Sequence, residues 1–296
     1  MRRIIQKLDS LILRLGKWLP DESFLKLRFL VRMGYPVNLK APKTYSEKLQ
    51  WLKLYDHRDL YTTLVDKYEV KEYVGKLIGE QYLAKTYGVW DCPDDIDFTA
   101  LPQRFVLKTT HGGGNDGVFV VKDKNSIDEV GIKGRLFKAL QQDLYKHSRE
   151  WPYKNVKRRI IAEEFLEDQE TGELRDYKFF CFNGEVKVLF VATDRQKREE
   201  PYFNFFDADY HELELKQGHP RNPVPPEKPK KFDEMKLVAA KLSKGLPHVR
   251  VDLYEANGKV FFGELTFYHF GGMVHFEPEK WDEIFGSWLS LPEKVR

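Results

Sequence analysis

Apolar residues recur along the first part of the chain with a helical period. Ile4, Ile5, Leu8, Leu11, Ile12, Leu15 and Leu19 fall at spacings of three and four, with Arg and Lys filling much of the remainder. That pattern predicts a basic amphipathic helix ending near Pro20. Helical patterning continues through Phe24–Met33 until Gly34-Tyr35-Pro36 interrupts it. Thr44-Tyr45-Ser46-Glu47 has the spacing of a capping box and opens a helix that runs through Tyr55; another fits Leu60–Leu77, with Leu64, Tyr68, Lys71, Val74 and Leu77 on its repeat.

After Gly79 the texture changes. Phe105–Thr109 and Val118–Val121 read as short strands flanking a glycine-rich loop, followed by a helix near Arg135–Tyr145 and a strand at Arg159–Phe165. Asp176–Phe182 and Glu185–Thr193 flank Asn183-Gly184, and Val249–Tyr254 and Lys259–Thr266 flank Asn257-Gly258. Asn-Gly between apolar strands is a strong hairpin signal. Pro220, Pro223, Pro225, Pro226 and Pro229 cluster between the hairpins and predict a semirigid loop or lid. Helices mixed with antiparallel hairpins give an α+β fold class.

Charge is unevenly placed. The 296 residues carry a formal +3, but residues 1–19 hold Arg2, Arg3, Lys7, Arg14 and Lys17 against Asp9 alone, a local +4 that leaves −1 elsewhere. A globally basic nucleic-acid binder is disfavoured. The N-terminal segment fits either peripheral contact with an anionic membrane surface, Trp18 adding an interfacial aromatic, or packing on its own domain with a solvated basic face. Cys92 and Cys181 are the only cysteines, too few for a disulfide framework or a Cys-rich zinc site. The apolar run Ile4–Leu15 is broken by Gln6, Lys7, Asp9, Ser10 and Arg14, so neither a spanning helix nor a secretory signal is expected, and the chain reads as cytoplasmic.

Three constellations carry candidate chemistry. In the first, Lys108 ends a strand that passes through Thr109-Thr110-His111 into Gly112-Gly113-Gly114 and returns at Val118. Glycines let backbone N–H groups approach a polyphosphate, and a nearby ammonium neutralises its charge. No Gly-Lys-Ser/Thr follows, so this is not a Walker A loop, and a plain hairpin tip is the alternative. The second is Ile160-Ile161-Ala162-Glu163-Glu164-Phe165-Leu166, where two carboxylates sit in an apolar strand. They suit either the exocyclic amine of a nucleotide base or the solvent side of an edge strand.

The third is the terminal hairpin. Alternation puts Arg250 with Asp252 on one face of the first strand, and Glu264 with Thr266 on one face of the second. A two-residue Asn257-Gly258 turn pairs 252 with 263 and sends Asp252 and Glu264 to opposite faces, whereas an odd-length or bulged loop pairs 252 with 264. A shared metal site requires the second register. Elsewhere, Lys178 is an ammonium on an otherwise apolar face, and His111 and His269 beside glycines suit either a pocket or a structural role. Asp207-Ala208-Asp209 is the one spacing match to a sugar-nucleotide Asp-x-Asp motif, but its aromatic flanks suggest a turn.

Taken in order, these parts resemble the ATP-grasp fold, and most closely its TupA-like group, associated with teichuronopeptide and other surface-polysaccharide biosynthesis. The resemblance runs from about residue 38 to about 290 and rests on Lys43–Lys53, Asp66-Lys67-Tyr68, Phe105–Gly117, Asp176-Tyr177-Lys178-Phe179-Phe180, Arg250-Val251-Asp252 and Gly263–Tyr268. It implies a helical segment over 1–60, a subdomain with the glycine lid over 61–165 and a subdomain with the metal site over 166–296. Lys67 and Lys108 would contact ATP phosphates, with Gly112, Gly113 and Gly114 closing over them. Glu163 would meet the adenine amine, with the backbone of Glu164, Phe165 and Leu166 beside it. Asp176 and Lys178 would face the nucleotide. Asp252, Glu264 and Thr266 would hold Mg²⁺, and Arg250 would lie at the reacting group. Thr266 stands where many ATP-grasp enzymes have Asn.

The implied activity is an ATP-dependent carboxylate–amine ligase acting on a uronic-acid sugar, a glycan precursor or an amino acid through an acyl phosphate. A glycosyltransferase or other transferase of the same pathway, and a non-catalytic nucleotide-binding scaffold, are the alternatives.

Overall fold

The computed structural model describes residues 2–112, 117–169, 172–194 and 200–295. Gly113 and Gly114 of the expected lid lie outside the described residues. The N-terminal part is helical: α1 (Arg2–Leu15), α2 (Asp21–Met33), α3 (Tyr45–Tyr55), α4 (Asp59–Val65) and α5 (Glu69–Ile78). The capping box forms as expected at α3, where Thr44 accepts from the Glu47 N–H and Glu47 returns the bond. The single helix expected over Leu60–Leu77 is two. Asp66 interrupts it, because its carboxylate accepts from the N–H groups of Tyr68 and Glu69 and starts a new helix there.

Strands β1 (Thr86–Trp90), β2 (Phe105–Thr109), β3 (Val118–Val121) and β4 (Ile160–Glu164) form a sheet in the order β1-β4-β2-β3. Helix α6 (Glu129–Leu140) covers it, and Phe105, Leu107, Ile132, Leu136, Ile160 and Ala162 share one core. The short α7 (Leu144–Ser148) follows, so the helix expected near Arg135–Tyr145 starts earlier and breaks at Asp143, which caps α7. Strand β4 is interior, which removes the edge-strand reading of Glu163.

The second sheet has the order β10-β9-β5-β6-β7, from β5 (Asp176–Phe182), β6 (Glu185–Thr193), β7 (Tyr202–Asp207), β9 (Val249–Ala256) and β10 (Lys259–Thr266). A small ribbon pairs β8 (Lys216–Gln217) with β11 (Phe276–Glu277). Helix α8 (Phe232–Ser243), which the reading above did not anticipate, lies on one face of the five-stranded sheet, where Phe179 meets Phe232. On the other face Tyr45 of α3 meets Phe180 and Phe182, joined by Phe285 of α9 (Lys280–Trp288). Every residue of β5 is therefore buried. Lys178 shares the α3 face with Phe180 and Phe182, an ammonium inside an aromatic core. Helices α1 and α2 form a third core of Ile12, Phe24, Leu25, Phe29 and Met33, which Met273 joins from the far end of the chain.

Candidate active site

The break between α4 and α5 aims Lys67 at the glycine loop. Its N–H donates to Thr110 O at 3.0 Å and its ammonium donates to Gly112 O. Asp66 fixes this corner by pairing with Arg159 at 3.0 Å. One helical turn on, Lys71 donates to Ala84 O at 2.7 Å, to Thr86 Oγ1 at 2.8 Å and to Glu163. Lys108 reaches the other oxygen of Glu163 along β2. Burial opposes charge on Glu163, but Lys108 and Lys71 outweigh it and hold the carboxyl below its ordinary range. Glu164 points outward and its N–H donates to Lys85 O at 2.9 Å. Phe165 and Leu166 follow half-buried, with the Arg104 guanidinium over the Phe165 ring at 4.1 Å.

The terminal hairpin settles the register question in an unexpected way. Asn257 and Gly258 form a two-residue turn with φ of 51° and 74°, and Lys259 pairs with Ala256. That turn alone would separate the carboxylates. The ladder instead shifts between Phe262 and Glu264, with Gly263 as the extra residue, so Glu264 pairs with Asp252 and Thr266 with Arg250. The bulge lies in the strand and not in the loop. Any other residue would crowd its neighbours there, since a Cβ would stand 2.9 Å from Tyr254 Cε2 and 3.0 Å from Asp252 O. On the other side of β9, Lys178 pairs with Asp252. Lys178, Asp252 and Glu264 thus form one row across three strands, and Arg250 and Thr266 begin the next.

Charges in these rows interlock. Arg250 donates Nε to Asp252 Oδ1 and Nη2 to Oδ2, both at 2.7 Å, reaches Thr266 Oγ1 at 2.9 Å and Glu264 Oε1 at 3.3 Å, and meets His269 Nδ1 at 2.7 Å. Lys178 pairs with Asp252 and lies 3.5 Å from Asp176. Burial drives the Lys178 ammonium down despite Asp252. Packing works against the charge of Glu264, yet Lys67, Lys178 and Arg250 bring its carboxyl down to about 2. Lys67 and Glu264 therefore couple the four-stranded sheet's glycine loop to the five-stranded sheet. Burial and the neighbouring Arg250 and Lys178 keep His269 neutral, well below its ordinary pKa, so its Nδ1 accepts from Arg250.

The donor set suits a hard cation. Asp252 and Glu264 are paired across neighbouring strands, and Thr266 adds a hydroxyl 3.4 Å from Glu264 Oε1. No three His, Cys, Asp or Glu side chains converge on a metal position among the described residues.

The structure thus brings Lys67, Gly112, Lys108 and Glu163 together, and separately Asp176, Lys178, Arg250, Asp252, Glu264 and Thr266, with Lys67 facing Glu264 across the gap. Sequence reasoning missed Lys71, whose signal is a cation on the inward repeat of a predicted helix. His269, open to a pocket or a structural role, meets Arg250 with its ring. Asp207-Ala208-Asp209 is a turn, with Asp207 Oδ1 accepting from the N–H groups of Asp209 and His211 at 2.9 Å each.

No curated protein matches the chain. Solved structures with a similar arrangement include D-alanine–D-alanine ligase from Bacillus anthracis, 15% identical over 69% of this chain and 57% of that one, with a TM-score of 0.40. The D-alanine–D-alanine ligase from Helicobacter pylori is 18% identical over 77% and 61%, with a TM-score of 0.40. The ATP-grasp ligase PsnB complexed with minimal precursor is 13% identical over 75% and 59%, with a TM-score of 0.42. The chain spans less than two thirds of the length of each of these structures. The profile of the TupA-like ATPgrasp family matches residues 47–290, which takes in every candidate site residue, and the chain belongs to that family.

Proposed function

We propose that the protein is an ATP-dependent carboxylate–amine ligase. The observation that carries this reading is the pair of facing charge clusters, Lys67, Lys71 and Lys108 around the glycine loop and Lys178 and Arg250 on the carboxylate row. A polyphosphate laid between them meets cations from both sheets. The purine amine has the carbonyls from Glu164 to Leu166 and the Glu163 carboxylate as acceptors, and Asp176 faces the nucleotide beside Lys178. Held by Asp252, Glu264 and Thr266, Mg²⁺ would neutralise phosphate charge.

The substrate carboxylate oxygen attacks the γ-phosphorus, the bond to the β-phosphate oxygen breaks, and ADP leaves. An amine then attacks the acyl carbon and gives up a proton, the C–O bond to phosphate breaks, and an amide and inorganic phosphate result. Lys67, Lys108, Lys178 and Arg250 position these groups and offset negative charge as it develops. Closure of the Gly112–Gly114 lid would exclude water.

The reading places the enzyme in the cytoplasm, in surface-polysaccharide or glycoconjugate assembly, with a uronic-acid sugar, glycan precursor or amino acid as substrate. It also places α1 against the inner membrane surface. Asp9 turns inward to Arg28 and Arg32, at 2.8 and 3.4 Å, while Ile4, Leu8, Leu11, Leu15 and Trp18 are exposed. The outward face therefore combines an apolar stripe with the cations Lys7 and Arg14 and the neutral Gln6 and Ser10.

The test is a product screen by mass spectrometry with Mg²⁺-ATP, uronic sugars and amino acids. A product lighter than its summed reactants by one water, formed with ADP, is expected. Failure of the purified protein to bind nucleotide would sink the reading.

A further inference from the structure

A cavity of about 180 Å³ opens between α2, α3, the link from Ser148 to Glu150 and the turn His269–Met273. Arg28, Arg32, Lys53 and Glu150 line it, with Ser148 and Phe270. None of these belongs to the charged rows described above.

The turn is built to admit charge. Gly271 and Gly272 hold φ of +63° and +65°, in the left-handed region. The Gly271 carbonyl takes Lys53 Nζ at 2.8 Å and Gln50 Nε2 at 3.0 Å. A Cβ on Gly271 would stand 3.6 Å from Lys53 Nζ and 3.8 Å from Glu150 Oε1, so an ammonium and a carboxylate converge on bare backbone. Lys53 is only 3% exposed, and burial brings its ammonium down to about 8. Burial likewise pushes the Glu150 carboxyl up, against the pull of Lys53 and Arg28.

The arginines lie at the cavity's other end. Arg28 is held firmly, by Asp9 at 2.8 Å and by His147 O at 2.7 Å. Arg32 is not. Its bonds to Met273 O and to Asp9 are 3.3–3.4 Å, beyond the usual range for N–H···O contacts, and 31% of its side chain is exposed. A planar guanidinium with loosely used donors is ready to take a carboxylate.

The cavity also adjoins the site. Its turn begins at His269, whose ring meets Arg250.

We propose that this cavity is the subsite for the amine-bearing substrate, a small amino acid bound as a zwitterion, its carboxylate on Arg32 and its ammonium against Glu150. The inference rests on the amide-forming reading for what happens next, but not for the binding itself. A sugar acid would satisfy Arg32 and bring no cation to Glu150. Anchoring the amino acid's own carboxylate here keeps it away from Arg250, and the ammonium passes its proton to Glu150 before the neutral amine attacks.

Calorimetric titration without nucleotide tests this, using the twenty L-amino acids and glucuronate as probes, with AMP-PNP titrated separately. At least one amino acid is expected to bind, with affinity at least tenfold weaker in both Arg32→Ala and Glu150→Gln. AMP-PNP affinity and thermal midpoints of these variants should stay close to those of the unaltered protein. Amino-acid binding unchanged in both variants overturns the assignment, as does binding of glucuronate alone or of no probe. If AMP-PNP fails to bind the unaltered protein, the ligase reading falls, while amino-acid binding that is lost in the variants still supports the subsite.

Discussion

The Gly263 bulge carries the register on which the carboxylate row depends, so Gly263→Ala is a sharp perturbation. The new methyl group meets Tyr254 Cε2 at 2.9 Å and Asp252 O at 3.0 Å. The tyrosine ring can swing, but the carbonyl belongs to the strand that holds Asp252. Relief must come from β10, and overpacking of this kind costs about 1–3 kcal/mol. Gly134→Ala supplies the contrast, because Gly134 lies on α6 with open space around its missing Cβ. There the change should stabilise the protein by about 0.5–1 kcal/mol through helix propensity and lost unfolded-state freedom. Urea denaturation measures both. Calorimetry with Mg²⁺-ATP should show affinity reduced at least tenfold by Gly263→Ala and unaltered by Gly134→Ala, since only the former moves Glu264 relative to Asp252. If Gly263→Ala keeps its stability within about 0.5 kcal/mol, below the overpacking range, and its affinity within twofold, the register argument is wrong.

Asp252→Asn should destabilise the fold by about 3–5 kcal/mol in urea, because Arg250 and Lys178 lose the buried charge that both face; a loss under about 1 kcal/mol would show that the pairing is not the anchor. Acid should weaken the protein. His248 is bonded to Tyr45 Oη at 2.8 Å and Cys181 O at 2.9 Å, and burial takes its pKa down to about 3. The unfolded chain therefore binds that proton first, and stability is lost as pH falls from about 6.5 toward 3. Glu264, lowered to about 2, adds stability that is present above its unfolded value near 4.3 and is lost as pH falls toward 2. Urea midpoints should fall from pH 7 to pH 4, with a shallower slope in His248→Gln; a midpoint that rises on acidification contradicts this. Finally, Leu11→Glu with Leu15→Glu should abolish co-sedimentation with vesicles of anionic lipid, which salt should also weaken. Equal sedimentation with and without the substitutions would remove α1 from the membrane.

Much of the fold was legible because local chemistry decides it. Thr44 and Glu47 announce their capping box, and Asn183-Gly184 and Asn257-Gly258 mark their hairpins whatever packs around them. The bulge was less accessible. An isolated glycine inside a strand pattern is its signal, but whether the extra residue sits in the turn or in the strand depends on Tyr254 and the Asp252 carbonyl, which only tertiary packing brings to that spot. Asp66 carried a cap signal in the middle of a helical repeat, and the repeat dominated the reading. Helix α8 had apolar residues at helical spacing, Phe232, Met235, Val238, Ala239 and Leu242, in the shadow of the proline cluster before it.

Charge was legible as an inventory and not as a set of partners. Each cation of the two proposed phosphate-facing clusters is engaged by the protein itself: Lys71 and Lys108 by Glu163, Lys178 and Arg250 by Asp252, and Lys67 by the Gly112 carbonyl. Burying five cations without partners would cost several kcal/mol each, so a chain that keeps them inside must also keep anions or carbonyls within reach. A polyphosphate with its divalent cation brings both signs together. The anionic oxygens would take over the lysines and Arg250 while the cation would take over the carboxylates, so that no buried charge would be stranded. On the proposed function, that exchange would account for the alternation of acidic and basic residues at Asp176 and Lys178 and at Arg250 and Asp252. Spacing along the strands puts the opposite charges on one face, and the Gly263 bulge brings Glu264 onto the same row.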